Sequence, residues 1–289
     1  MKQLFSLFFS FVLIGNAFSQ NNELHVHFTN DLKGGVFGTF EKVEIGVELP
    51  AVDQQKIMNF LMGMRVPNSE KVNPFLAWDL DVQGVFTHVE SNQTIVVPAF
   101  FYRDFRRDTI KNEYVGIDVK DNMRIRFAAP LSGDWTCTIS YKLKQKLQVQ
   151  TAELKFSVVD SGKKGFIQVH ENKRNLVQGN DLIVPIGPNF PYPMKGVNNY
   201  HTTRDANGKE AFDPFTTNTV TKPTAYLRYF NDIDNYRKQG GKYFRTLQSG
   251  WASLLEFEVK GNYFNRLHYA WEQDSLLNYC EANDMFFSF

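Results

Sequence analysis

The chain has 289 residues, of which 43% are hydrophobic, enough to bury the core of one to two domains. Its 32 basic and 31 acidic residues leave a net charge of +1, so there is no electrostatic basis for nucleic-acid binding, which needs clustered Lys and Arg. Two cysteines, Cys137 and Cys280, exclude a disulfide scaffold by count; lying in different predicted domains, they read as separately buried thiols, with one bridge as the alternative. The 27 Phe, 12 Tyr and 4 Trp suit a β-rich core, or in part a set of sugar-stacking platforms.

At the start, Lys2 supplies a positive charge, Leu4 to Ile14 is an almost unbroken apolar run, and Ala17-Phe18-Ser19 has small-x-small cleavage character. This pattern predicts a signal peptide over residues 1–19, cleaved after Ser19. The apolar run is too short to span a bilayer as a helix, no Cys follows it to accept a lipid, and no later segment is apolar enough to cross. The expected mature protein is secreted or periplasmic, with no membrane span.

Residues 23–160 read as short strands separated by turns. Val43 to Leu49, Asp79 to Phe86 and Met123 to Phe127 alternate apolar and polar with period two. Thr94 to Phe101 is an apolar run containing Pro98, which predicts an edge strand or a bulge. Trp135 to Tyr141 follows a Ser132-Gly133-Asp134 turn, and Ala152 to Val159 closes the series. About seven such strands suggest an immunoglobulin-like β-sandwich, with Trp135 in its core. The charged run Arg103 to Asp108 reads as a solvated strand end with internal ion pairs.

The polar stretch Asp160-Ser161-Gly162-Lys163-Lys164-Gly165 marks a domain boundary. Beyond it the expectation is a strand over Phe166 to His170, then a hairpin of Leu176–Gln178 and Leu182–Ile186 around Gly179-Asn180-Asp181. A long loop runs from Gly187 to Pro223. Tyr226, Leu227, Tyr229, Phe230, Ile233 and Tyr236 recur at helical spacing up to Gly240-Gly241. A short strand at Tyr243–Leu247, a helix over Asn265–Asn283 and a strand over Met285–Phe289 complete the order, the βαβ pattern of a parallel sheet or barrel.

Four fragments carry a resemblance: Asn73-Pro74-Phe75, Val97 to Phe105, Arg126 to Pro130, and Gly133-Asp134-Trp135-Thr136. Together they resemble the family called domain of unknown function 5060, an immunoglobulin-like sandwich that precedes a glycoside hydrolase barrel in secreted bacterial enzymes. Residues 165–289 resemble the opening of a clan A glycoside hydrolase (β/α)8 barrel. Val184 to Asn189 is similar to the family's first barrel strand. Gly240 to Arg245 is similar to its second, with Lys242 where Asn is usual, and Met285 to Phe289 would be the third.

What the resemblance implies about chemistry is specific. Retaining glycosidases use two carboxyl groups about 5 Å apart, as acid/base and nucleophile. In this clan those glutamates end strands four and seven, so neither is assigned in this chain, which is expected to be a truncated portion, inactive alone. Arg245 matches the arginine that hydrogen-bonds the nucleophile and keeps it ionised. Barrel sites lie at C-terminal strand ends. Asn189, Tyr192, Tyr200 and His201 after the first strand, and Trp251 after the second, are therefore substrate-binding candidates, with loop packing or plain surface as the alternative reading. Glu256 and Glu258 are the nearest acidic residues and read as solvated surface. Neither a phosphate-binding Gly loop nor a Ser nucleophile elbow occurs, so no cofactor is implied; His25 and His27 lack a third ligand, so no metal is implied. The expected partner is a polysaccharide or oligosaccharide; the alternative is a non-catalytic extracellular protein that binds carbohydrate or another partner.

Overall fold

The computed structural model describes residues 24–30, 34–151, 153–190, 203–204, 210–211, 223–247, 254–256 and 260–289. The expected signal peptide lies outside these residues. The first half contributes β1 (His25–Phe28), β2 (Val36–Gly38), β3 (Lys42–Glu48), helix α1 (Ala51–Leu61), β4 (Leu80–His88), β5 (Thr94–Pro98) and β6 (Phe100–Phe101). It continues with β7 (Asp104–Asp108), β8 (Glu113–Ile117), β9 (Met123–Ala128), β10 (Gly133–Leu143), β11 (Lys146–Gln150) and β12 (Leu154–Val159).

Two main sheets organise these strands. One has the order β1-β3-β9-β6; the other is β2-β12-β10-β4-β5, with β11 also paired to β10. All these pairings are antiparallel except β2 beside β12. The period-two alternation of the sequence places Val43, Ile45 and Val47 of β3 and Met123, Ile125 and Phe127 of β9 in the interior. Leu80, Val82 and Phe86 of β4 and Trp135, Cys137, Ile139 and Tyr141 of β10 fill the same core from the other sheet. Phe86 stacks on Phe127 at 4.1 Å between ring centres, so the two sheets meet face to face. Each such large side chain contributes about 1.5–3 kcal/mol by leaving water.

Pro98 explains why the apolar run Thr94 to Phe101 is two strands rather than one. Without an N–H it closes β5 at the edge of one sheet, and two residues later β6 pairs with β9 in the other. Helix α1 is missing from the all-strand reading. It buries Asp53, Ile57 and Leu61, spaced by four, against the sheets. Asp53 is tolerated there because it accepts a hydrogen bond from the Tyr141 hydroxyl and another from Lys56 Nζ at 3.0 Å.

The charged run Arg103 to Asp108 is also corrected. It is not a solvated end but part of a β7–β8 ribbon pressed on the helices of the second half. Those are α2 (Pro223–Lys238) and α3 (Leu267–Ala282). The Arg107 guanidinium lies over Tyr226 at 4.9 Å and Trp271 at 4.7 Å, and Trp271 Nε1 donates to Asp104 Oδ1 at 2.9 Å. A planar guanidinium stacks on aromatic faces, which is why arginines in a polar-looking run sit against a helix.

The second half holds β13 (Ile167–Val169), β14 (Leu176–Gln178) and β15 (Asp181–Ile183) as a three-stranded antiparallel sheet. A small pair, β16 (Thr203–Arg204) and β17 (Glu210–Ala211), follows. Then α2, β18 (Tyr243–Arg245), α3 and β19 (Phe286–Ser288) complete the order, with β18 and β19 parallel. α2 stops before Gly240, whose φ of +89° suits a residue without a Cβ. Tyr226, Tyr229, Ile233, Phe244, Tyr269, Leu276, Cys280 and Met285 form a second core between the helices and the parallel pair. Both cysteines are free and buried, one in each core.

Several strand limits differ from the expectation; among them β15 stops at Ile183 rather than Ile186, β18 at Arg245 rather than Leu247, and β19 at Ser288 rather than Phe289. Pro185 and Pro188 lack the N–H groups a longer first strand would need. The described architecture is thus mainly β, with several separate sheets, few helices and no closed barrel. Among the described residues no helix is long and apolar enough to cross a membrane.

Candidate functional site

Parallel strands need a crossover, and here α3 supplies it, carrying the chain from the end of β18 back to the start of β19. The segment before β18 joins the same row. Asn189 forms a parallel bridge to Arg245, which is in register with Ser288 of β19. The bonds are well made: Arg245 N donates to Pro188 O at 3.0 Å and Phe190 N to Arg245 O at 2.7 Å. Asn189, Arg245 and Ser288 therefore stand side by side at the C-terminal ends of three parallel segments.

The underside of this row is rigid. Phe190 packs on Tyr236 and Phe244 with ring centres 5.6 and 5.8 Å apart. Thr246 is fully buried; its hydroxyl meets that of Tyr229 at 3.0 Å, and its N–H donates to Ser288 O at 2.9 Å. The Tyr243 and Ser288 hydroxyls lie 2.6 Å apart. Gly187 lies so close to β18 that a Cβ there would sit 1.8 Å from Tyr243 O, so only glycine lets the segment approach.

On top of this bed Asn189 and Arg245 are exposed. The guanidinium makes no hydrogen bond or ion pair among the described residues. It presents a permanent positive charge and a fork of donors; the Asn189 amide adds both a donor and an acceptor. Such a pair suits a ligand rich in oxygen acceptors, a carboxylate or sugar hydroxyls.

Of the six candidate residues, the structure brings Asn189 and Arg245 together. Tyr192, Tyr200, His201 and Trp251 lie outside the described residues, as does Glu258. Glu256 is exposed, and its Oε1 accepts from Gly261 N at 3.0 Å, closing the loop after β18. Sequence reading missed Thr246, Tyr229 and Ser288. Ser288 joins the row only through parallel register, which no local pattern encodes. Among the described residues no group of three His, Cys, Asp or Glu could hold a metal ion; His27 instead meets Asp121 at 3.1 Å.

A cleft of about 850 Å³ lies elsewhere, between the sheets and the second half. Phe40, Arg126, Lys163, Phe166, Leu277 and Phe286 are among its walls, and neither Asn189 nor Arg245 reaches it. Its polar groups are already engaged, Lys163 with Glu281 and Arg126 with Asp274. Cys280 is on its wall, but burial pushes the thiol up to about 12, so it is neutral and a poor nucleophile. We therefore place the candidate site at the strand ends, where exposed polar groups converge on a rigid base.

No family model matches the chain, and no curated protein matches it. Among solved structures it is similar to a candidate glycoside hydrolase from Bacteroides vulgatus, with a TM-score of 0.36 and 14% sequence identity. The match covers 88% of this chain and 55% of that one, so the chain spans about half the length of that structure.

Proposed function

We propose that these residues form the N-terminal portion of a secreted glycoside hydrolase acting on polysaccharide or oligosaccharide. In this reading residues 23–160 are an immunoglobulin-like sandwich of the domain of unknown function 5060 type. Residues 165–289 begin a (β/α)8 barrel, with Val184 to Asn189, β18 and β19 as its first three strands. The observation that supports it is the row of Asn189, Arg245 and Ser288 at the C-terminal ends of parallel segments, the end at which barrel enzymes bind substrate.

Arg245 is then the residue that orients and charge-pairs the nucleophilic carboxylate. Asn189, Tyr192, Tyr200, His201 and Trp251 remain the candidates for sugar binding in this reading. In this reading neither catalytic carboxyl group is assigned to a residue of this chain. The test pairs retention on a panel of insoluble polysaccharides with a reducing-sugar assay, using the chain and its Arg245→Ala variant. The expected result is retention of the chain on at least one polysaccharide, weakened in the variant, with no sugar released by either. Sustained release by the unsubstituted chain would overturn the assignment of the carboxylates. Failure to be retained on any glycan would overturn the carbohydrate reading and favour a protein-binding role.

A further inference from the structure

Outside the strand-end row, polar side chains of the first half end on the helices that carry that row. The tip of the β7–β8 ribbon is held in shape by Asp108, whose Oδ1 accepts from Ile110 N at 3.1 Å and from Lys111 N at 2.9 Å. Asn112 follows with a φ of +56°, a left-handed backbone that Asn tolerates better than most residues. From there its side chain reaches the start of α2: Asn112 Oδ1 accepts from Thr224 N at 3.1 Å and from the Thr224 hydroxyl at 2.8 Å. The first amides of a helix have no acceptor within it, and a side-chain oxygen just before the helix usually supplies one. Pro223 opens α2 without an N–H, so Thr224 carries the first amide of the helix. Its acceptor stands 112 positions earlier in the chain.

The same ribbon grips both helices through its arginines. Arg107 stacks over Tyr226 of α2 and Trp271 of α3, and the Arg103 guanidinium lies 4.7 Å over Phe264, just before α3. The Tyr226 hydroxyl donates to Glu272 O at 2.6 Å, which ties α2 to α3. α2 in turn holds the strand-end row from below. The Tyr229 hydroxyl lies 3.0 Å from that of Thr246 and 3.3 Å from Phe190 O, and the Tyr236 hydroxyl donates to Tyr243 O at 3.0 Å. Phe190 N and Arg245 N are the amides that join the Asn189 segment to β18. Every step from Asn112 to the row is thus a hydrogen bond or lies within one helix.

From this series of contacts we propose that the β7–β8 ribbon is a clasp that positions the strand-end row. Asn112 is its helix cap, supplied to α2 from the other half, and Arg107 is its stacked anchor. Both are positioning residues, acting on Asn189 and Arg245 through α2. Without the cap α2 opens more often from its first turn, and Tyr229 and Tyr236 loosen the row with it. The positioning holds without any ligand; its effect on binding rests on the glycan reading above.

Amide hydrogen exchange of the full chain, read by mass spectrometry, tests the clasp with Asn112→Gly, Asn112→Asp, Arg107→Ala and Arg107→Lys variants. Glycine keeps the left-handed turn and removes the cap, whereas aspartate restores an acceptor suited to a helix start. The expected result for Asn112→Gly is about fivefold faster exchange at Phe190, Arg245 and Thr246, the factor that follows from losing a typical cap. Asn112→Asp should exchange like the parent. Arg107→Ala should act in the same direction as Asn112→Gly, and Arg107→Lys should not rescue it, because an ammonium has no planar face to stack. Cys137 and Ile139 in β10 should keep the parent's rates. Equal acceleration in β10 would mean a general loss of stability, and acceleration confined to the first turn of α2 would mean a cap whose effect stops there; either overturns the clasp. Retention on insoluble cellulose, xylan and mannan is measured alongside and should weaken in Asn112→Gly; retention equal to the parent's overturns the effect on binding. If the parent is retained on none of the three, the glycan reading fails while the exchange rates still decide the clasp.

Discussion

Replacing Arg126 by Ala removes the side chain that ties the four-stranded sheet to α3. Its Nη1 and Nη2 donate to the two carboxylate oxygens of Asp274 at 2.7 and 2.8 Å, while Nε donates to Glu44 Oε2 at 2.5 Å. Two parallel charge-assisted bonds are the strong form of this interaction. Arg126 and Asp274 are each 26% exposed, between the two regimes for which magnitudes are known. Removing one partner of a fully buried pair costs about 3–5 kcal/mol, and an exposed pair contributes about 0.2–1 kcal/mol. The intermediate burial places Arg126→Ala at about 2 kcal/mol, and the coupling in a double-mutant cycle with Asp274→Ala at about 1 kcal/mol. Urea unfolding followed by circular dichroism and by Trp fluorescence measures both. Trp135 reports the sheets and Trp271 the contact with α3. Substitutions that add within about 0.3 kcal/mol would refute the reasoning, because a shared bidentate bond cannot be lost twice.

Burial alone would raise the Glu44 carboxyl, but the hydrogen bond and charge of Arg126, with help from Lys42 and Thr29, lower it below its ordinary 4.5. A depressed folded value means that its contribution is fully present above about pH 4.5 and lost as pH falls through that lower value. The melting temperature of Glu44→Gln should therefore fall short of the parent's near neutral pH and approach it in acid; a constant gap would count against this. Asp53→Ala leaves the Tyr141 hydroxyl without its partner and should cost about 1–3 kcal/mol in the same urea assay. Burial pushes Cys137 and Cys280 up to about 12, so neither should react with an aromatic disulfide reagent at pH 8 until denaturant is added. Gly187→Ala should cost about 1–3 kcal/mol, since the added Cβ meets the β18 backbone and not a side chain that could turn aside; an unchanged melt would show that this approach is looser than described.

Local pattern was enough where burial is one-sided. The alternation in β4 and β10 follows from a sheet with one face in the core, so it could be read without knowing the partner strands. Pro98 and Gly240 mark a strand end and a helix stop because backbone chemistry, not context, restricts them. Asn189 and Arg245 were legible as candidates through their resemblance to strand ends, though the row they share with Ser288 was not. Helix α1 was missed because its apolar stripe is narrow and the first of its three inward positions is an aspartate, stabilised by a tyrosine 88 residues away.

The sequence by itself determined the alternating strands of the first half, the helices α2 and α3, and that the thiols would be buried apart. Tertiary structure decided what those segments touch. Whether Arg107 faces water or an indole, whether Arg126 meets Asp274, and whether Arg245 lies beside Asn189 all depend on groups distant in the chain. Stacking, ion pairing and parallel register are long-range interactions with no period to display them. The contact of Asn73 with Gly261 and of Phe75 with Tyr263 belongs to the same class, for it exists only once the two halves are packed.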